Sequence, residues 1–203
     1  MSDITWFIFD LGNTVIKLAY ERVLENVCKR GAVTRDELVE LLEAPGAYRD
    51  LERGSVSFAD FHEFLSDKAG YRGSLHELQE TWSDFFEGTL PGMEDLIDRL
   101  RQKYRIAFLS NSNEVHADVI PKKFAALFDK DDRLVFSYRF HCAKPDLEMF
   151  QRALEVIGTL PRHAAFVDDL LENVLAARAV GMTAFQFRDA FQLERDLTAA
   201  GLL

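Results

Sequence analysis

Short apolar runs punctuate the chain, and each gives way to polar residues: Ile4 to Phe9, Ile106 to Leu109, Leu134 to Phe136, Ala164 to Val167 and Thr183 to Phe187. Runs of this length with polar punctuation predict strands buried on both faces, as in a parallel sheet. Helical periodicity fills the intervals. Met93, Leu96, Ile97 and Leu100 form one apolar stripe, and Met149, Phe150, Ala153, Leu154 and Ile157 form another. Strands alternating with helices predict an α/β fold built on a doubly wound parallel sheet.

The alternation stops between about residue 18 and residue 88. Tyr20, Val23, Leu24, Val27 and Cys28 follow helical spacing, as do Leu75, Leu78, Trp82, Phe85 and Phe86, and helices alone are expected there. The pattern predicts an all-helical insertion that returns to the sheet through Gly88, Pro91 and Gly92, which have turn chemistry. Residues 1–17 and 88–203 then make the α/β core, and 18–87 a helical cap over the strand ends.

With 203 residues, 48% of them hydrophobic, the chain can fill one core and a smaller insertion. Its 34 acidic and 24 basic residues give a net charge of -10, which repels nucleic acid and anionic membrane surfaces. A small phosphorylated metabolite is still admissible, because a local site can concentrate positive charge. No stretch approaches the roughly 20 apolar residues of a membrane span, and a cytoplasmic monomer or homodimer is expected. Cys28 and Cys142 stand far apart and outside any metal-binding spacing, so reduced thiols are expected rather than a disulfide or a zinc site.

Ligands of open parallel sheets bind beyond the carboxyl ends of the strands. The first run ends in Asp10-Leu11-Gly12-Asn13-Thr14, the second in Ser110-Asn111-Ser112-Asn113, and the fourth in Asp168-Asp169, with Asn173 about one helical turn beyond. Lys144-Pro145 opens the helix of Met149 and Phe150. Asp10, Asp168 and Asp169 at one sheet edge would repel unless cations compensated them, and Mg²⁺ with Lys144 restores neutrality. Ser110 offers a hydroxyl and Asn111 an amide to phosphate oxygens. Plainer readings exist for each piece: Asp-x-Gly-Asn is turn chemistry, Asp168-Asp169 can cap a helix, and Lys144-Pro145 can start one in solvent.

Taken in order, Asp10 to Thr14, Leu109-Ser110-Asn111, Lys144-Pro145 and Val167-Asp168-Asp169 with Asn173 resemble the four signatures of the haloacid dehalogenase (HAD) superfamily, across the whole chain. Phe9 to Asn13, Glu52-Arg53-Gly54, Leu109 to Asn113 with His116, and Lys144-Pro145 look like the branch containing bacterial glucose-1-phosphate phosphatase. The resemblance implies a Mg²⁺-dependent phosphatase of small phosphate monoesters, with glucose 1-phosphate among the candidates. Asp10 would attack phosphorus and form an aspartyl-phosphate. Asp10, the Gly12 carbonyl and Asp169 would hold Mg²⁺, supported by Asp168 and Asn173. Lys144 would neutralise Asp10 and the phosphoryl group, whose oxygens Ser110 and Asn111 would hold.

Gly12 departs from the superfamily pattern. Most of its phosphatases carry there a second Asp that serves as general acid and base, worth about 10² to 10⁴ in rate. Either the leaving group needs little protonation, or another residue substitutes; His116, Glu21, Glu52 and His62 are the candidates. The competing readings are a metal-independent 2-haloacid dehalogenase and a non-catalytic binding protein of the same fold. The acidic pair Asp168-Asp169 weighs against the first, and retention of Asp10, Lys144 and Asp169 against the second.

Overall fold

Alternation along the first strand shows how the sheet acquires two covered faces. The computed structural model describes residues 3–45 and 47–203. Strand β1 is Trp6–Phe9; Phe7 and Phe9 join one apolar cluster, Trp6 and Ile8 the other. Two short strands follow, β2 (Ile16–Leu18) and β3 (Phe86–Thr89), then β4 (Arg105–Ser110), β5 (Arg133–Phe136), β6 (Ala164–Asp168) and β7 (Thr183–Gln186). The main sheet is parallel, in the order β5-β4-β1-β6-β7.

Helices α1 (Tyr20–Cys28), α2 (Arg35–Glu43), α3 (Tyr48–Glu52), α4 (Phe58–Lys68) and α5 (Leu75–Ser83) lie between β2 and β3. The remaining helices are α6 (Met93–Arg101), α7 (Glu114–Lys123), α8 (Leu147–Ile157), α9 (Leu171–Val180) and α10 (Ala190–Ala199). Leu96, Ile97 and Leu100 of α6, Ile120 of α7 and Leu193 and Leu197 of α10 pack with Phe7 and Phe9. Met149, Phe150 and Ala153 of α8, with Val174 and Ala177 of α9, pack with Trp6 and Ile8. The sheet is thus doubly wound, as the sequence pattern predicts.

Register brings the chemistry to one edge. Phe9 stands opposite Phe108 on β4 and Val167 on β6, so Asp10, Ser110 and Asp168 emerge together at the carboxyl ends. With β4 and β6 on opposite sides of β1, this is the point where an open α/β sheet forms its crevice.

Local signals account for the helical excursion. Thr34 with Glu37, Ser57 with Asp60, and Ser74 with Glu77 form capping boxes that start α2, α4 and α5. Its apolar faces meet in an aromatic cluster in which the Phe61 and Trp82 rings lie 5.1 Å apart, edge to face.

The expectation of helices alone between residues 18 and 88 fails at both ends. β2 and β3 pair antiparallel, Ile16 opposite Thr89 and Lys17 opposite Gly88, with a register irregularity before Leu18. Phe85 and Phe86 are not the end of the α5 stripe; α5 stops at Ser83 and Phe86 opens β3. Strands of three and four residues are too short to display a period of two, and apolar residues just past a helix extend its stripe by coincidence. Among the described residues no helix is long and apolar enough to cross a membrane.

Candidate active site

The loop after β1 is built to hold Asp10 still. The Asp10 amide donates to the Val167 carbonyl at 2.8 Å, and the Leu11 carbonyl accepts from Val15 and Ile16 at 3.0 and 2.7 Å. Asn13 takes the left-handed conformation, φ 54°, which an asparagine tolerates better than most side chains. The Asp169 amide donates to the Thr14 hydroxyl at 3.1 Å, which ties this loop to the end of β6.

Lys144 enters from the loop before α8. Its Nζ lies 2.5 Å from Asp10 Oδ1 and 2.8 Å from Asp168 Oδ2, and all three side chains are buried. The Asn111 side chain, expected to hold phosphate oxygens, also braces this lysine. Its Oδ1 accepts from the Lys144 amide at 2.8 Å and its Nδ2 donates to the Lys144 carbonyl at 2.9 Å. The Lys144–Pro145 peptide is cis. Asp168 accepts from Lys144, from the Leu170 amide at 2.9 Å, and from Asn173 Nδ2 at 3.0 Å on both oxygens, so its lone pairs are largely committed.

Asp10, Asp168 and Asp169 each offer a carboxylate oxygen within 4.8 Å of the others. Burial raises the Asp10 pKa, Lys144 opposes the rise, and Asp168 and Asp169 add to it, leaving it well above the ordinary range. Burial works against the Lys144 ammonium, but its two carboxylate partners outweigh that and push its pKa up. Asp10 rises through burial first, and Lys144 offsets that only in part because its one charge is divided between two carboxylates while a third stands nearby. Burial and then Asp168 raise Asp169 as well.

Three carboxylates against one ammonium leave a deficit of two positive charges. Asn173 Oδ1, buried beside them, has no hydrogen-bond partner among the described residues. An all-oxygen donor set with an orphaned acceptor suits a hard divalent cation such as Mg²⁺.

These groups open into a cavity of about 320 Å³. Asp10, Gly12, Ser110, Asn111, Lys144, Asp168, Asp169 and Asn173 all line it, so the structure gathers the eight residues that the sequence singled out for the nucleophile, the phosphate and the metal. Leu18, Tyr20, Tyr48, Phe85 and Phe86 form apolar and aromatic walls that the sequence did not mark. A larger surface depression of about 700 Å³, lined by Leu154, Leu160 and Val180 among others, holds none of the carboxylates.

Of the four candidates to replace the acid absent at Gly12, Glu52 and His116 line the cavity. Glu21 pairs with Arg35 at 2.6 Å on the surface, and His62 Nε2 lies 2.8 Å from the Gly73 carbonyl. His116 has both ring nitrogens engaged, Nε2 with the Trp82 carbonyl at 3.2 Å and Nδ1 with Asn113 Nδ2 at 3.3 Å. Burial drives its pKa down to about 3, so it is neutral at pH 7 and fastens α5 to α7. Ser137, in the turn after β5, carried no signal in the sequence. Its hydroxyl donates to the Glu52 carbonyl at 2.6 Å and accepts from the Ser112 amide at 2.9 Å.

The profile of the haloacid dehalogenase-like hydrolase family matches residues 4–181. The chain belongs to that family. Among such hydrolases it is similar to the D-ribitol-5-phosphate phosphatase of Bacteroides thetaiotaomicron, 26% identical over 196 residues, covering 94% of this chain and 95% of the relative. A sesquiterpene phosphatase of Aspergillus oryzae is 49% identical over 145 residues, 70% of this chain and 73% of the relative. Among solved structures, a HAD family enzyme of Bacteroides thetaiotaomicron in complex with magnesium and inorganic phosphate superposes with a TM-score of 0.79 at 26% identity, covering 91% of this chain and 94% of that one.

Proposed function

We propose that this HAD-like hydrolase is a Mg²⁺-dependent phosphatase that hydrolyses small phosphate monoesters through an aspartyl-phosphate on Asp10. The observation that carries the reading is the Lys144 ammonium bridging Asp10 and Asp168 at the floor of the cavity, with Asp169 alongside and two positive charges still wanting. Asp10, the Gly12 carbonyl and Asp169 would hold the ion, with Asp168 and Asn173 behind them. When bound, Mg²⁺ supplies positive charge that favours ionised Asp10 and receives the phosphate oxygens.

The residues of the chain do the rest. An Asp10 oxygen attacks phosphorus as the ester P–O bond breaks, and water later cleaves the Asp10–phosphorus linkage to release inorganic phosphate. Lys144 offsets the charge of Asp10 and of the transferring group, Ser110 offers its hydroxyl, and Asn111 keeps Lys144 in place. Residues 18–87 serve as the cap, whose Tyr20, Tyr48 and Phe85 receive the leaving group.

The cavity admits a small metabolite rather than a polymer, and the net charge of -10 agrees. Sugar and polyol phosphates are the substrate class we favour, glucose 1-phosphate among them, and the ribitol-phosphate specificity named for one relative supports it. Cys28 and Cys142 are free thiols, which suits action in the cytoplasm. A haloacid substrate fits less well, because its carboxylate would add a negative charge to three already present.

The test is phosphate release from a panel of sugar, polyol and other phosphate monoesters, with and without Mg²⁺, with Asp10→Asn alongside. Turnover that needs Mg²⁺ and disappears in the variant is the expected result. Halide release without phosphate release would replace this reading with the dehalogenase.

A further inference from the structure

With glycine at position 12, the loop after β1 has no second carboxyl to protonate a leaving oxygen. Resting on the phosphatase reading above, we propose that Glu52, at the end of α3, is the catalytic acid and base of this site.

Position is the first argument. Glu52 lines the same cavity as Asp10 and Lys144. In-line displacement puts the leaving oxygen on the far side of phosphorus from Asp10, away from the strand ends, where the walls come from the helical excursion. The Glu52 carboxylate has no hydrogen-bond partner among the described residues, so it is free for a ligand. Glu21 and His62 are engaged elsewhere, and both nitrogens of His116 are occupied.

The way this segment is fastened is the second argument. Three successive residues tie the end of α3 to the core. The Glu52 carbonyl accepts from Ser137, Arg53 Nη2 lies 2.5 Å from Asp146, and Gly54, at φ 63°, presses so close that a Cβ would stand 2.2 Å from the Tyr138 carbonyl oxygen. Ser137 also holds the Ser112 amide, and Asp146 lies two residues beyond Lys144, so the ties reach both loops that serve the phosphate. They use the backbone of residue 52, the side chain of 53 and the bareness of 54. None of them requires a carboxyl at position 52, yet one is held there in fixed relation to Asp10.

Burial also lifts the Glu52 pKa to about 7, with Lys144 pulling down, Asp10 pushing up and Arg49 pulling down, and this suits proton transfer near neutrality. In the first half-reaction the Asp10–phosphorus bond forms, the P–O bond to the alcohol breaks, and the Glu52 proton passes to the leaving oxygen. In the second, Glu52 carboxylate takes a proton from water as that water attacks phosphorus. The Asp10–phosphorus bond then breaks, inorganic phosphate leaves, and Glu52 is again the acid.

The experiment compares wild type, Glu52→Gln and the double variant Glu52→Gln/Gly12→Asp on an alkyl phosphate and on p-nitrophenyl phosphate, whose leaving group needs no proton. E52Q should lose about 10² to 10⁴ in kcat on the alkyl phosphate, while its nitrophenol burst on the second substrate falls by less than about tenfold. Slow turnover after that burst should coincide with accumulated aspartyl-phosphate. The added Asp should recover about tenfold or more on the alkyl ester; the nearest neighbour of a Cβ at position 12 is the flexible end of the Leu18 side chain, at 3.0 Å. Equal losses on both substrates, or no loss on the alkyl ester, would overturn the proposal. Should E52Q fail to fold, Glu52→Asp takes its place: alkyl-phosphate turnover reduced more than the burst upholds the proposal, and a uniform change overturns it. Failure of the phosphatase reading looks different, since wild type would then release no phosphate from any ester.

Discussion

Lys144 holds its ammonium 2.8 Å from Asp168, and the same nitrogen reaches Asp10 at 2.5 Å. Removing the ammonium would strand two buried carboxylates, a change worth about 3–5 kcal/mol where one partner of a buried pair is deleted. Lys144→Met should therefore abolish phosphate release and lower stability by about that amount in urea unfolding. Mg²⁺ should restore part of the stability, having become the sole counter-charge. An unchanged unfolding midpoint would show that the carboxylates are neutral without the lysine.

Metal binding should register without turnover. If Mg²⁺ binds the folded chain alone, a concentration of 100 times Kd adds about 2.7 kcal/mol, seen as a rise in Tm that EDTA reverses. Asp169→Asn should weaken this response about 10- to 100-fold in Mg²⁺ concentration. A shift of equal size in that variant would place the ion elsewhere.

His116 gives stability a dependence on acid. Burial lowers its pKa from 6.5 to about 3, the Trp82 carbonyl opposing. Below about pH 6.5 the unfolded chain takes up a proton that the folded chain refuses, so stability is lost as pH falls toward 3, at about 1.4 kcal/mol per pH unit. His116→Gln should flatten that slope in a series of unfolding curves, and an identical slope would reassign the acid sensitivity.

Glu52 has the opposite sign. Its pKa is raised from 4.5 to about 7, so the stability it contributes is complete below 4.5 and is lost as pH rises through 7. Allowing for partial exposure, Glu52→Gln should be more stable than wild type by about 1–2 kcal/mol at pH 8 and no more stable at pH 4. A gain independent of pH would mean that the carboxyl is ionised throughout.

The five strands of the main sheet were legible because apolar runs closed by polar residues leave few alternatives, and Asp10, Ser110 and Asp168 followed from their ends. What the chain concealed was partnership. Nothing around Ser137 announces that it will meet Glu52 from 85 positions away, nor does Arg53 advertise Asp146 at 93. Periodicity tells a residue which face it occupies but not what stands opposite, and so the pairing of the Asn111 side chain with the Lys144 backbone stayed hidden. Phe85 and Phe86 misled for a related reason: apolar character at helical spacing is also what a pocket wall and a short strand require.

The pairing of β2 with β3 means that the chain leaves the sheet and returns to it through neighbouring strands, which lie about 4.7–4.9 Å apart in any such ladder. A detour whose ends nearly touch puts no tension on the frame it departs from. Its helices can lengthen, shorten or be exchanged while β1 and α6 keep their places, so the cavity wall can drift without disturbing Asp10. The freedom has one condition. Whatever is spliced between those strands must still dock at Ser137 and Asp146, and Glu52-Arg53-Gly54 is the plug that fits that socket.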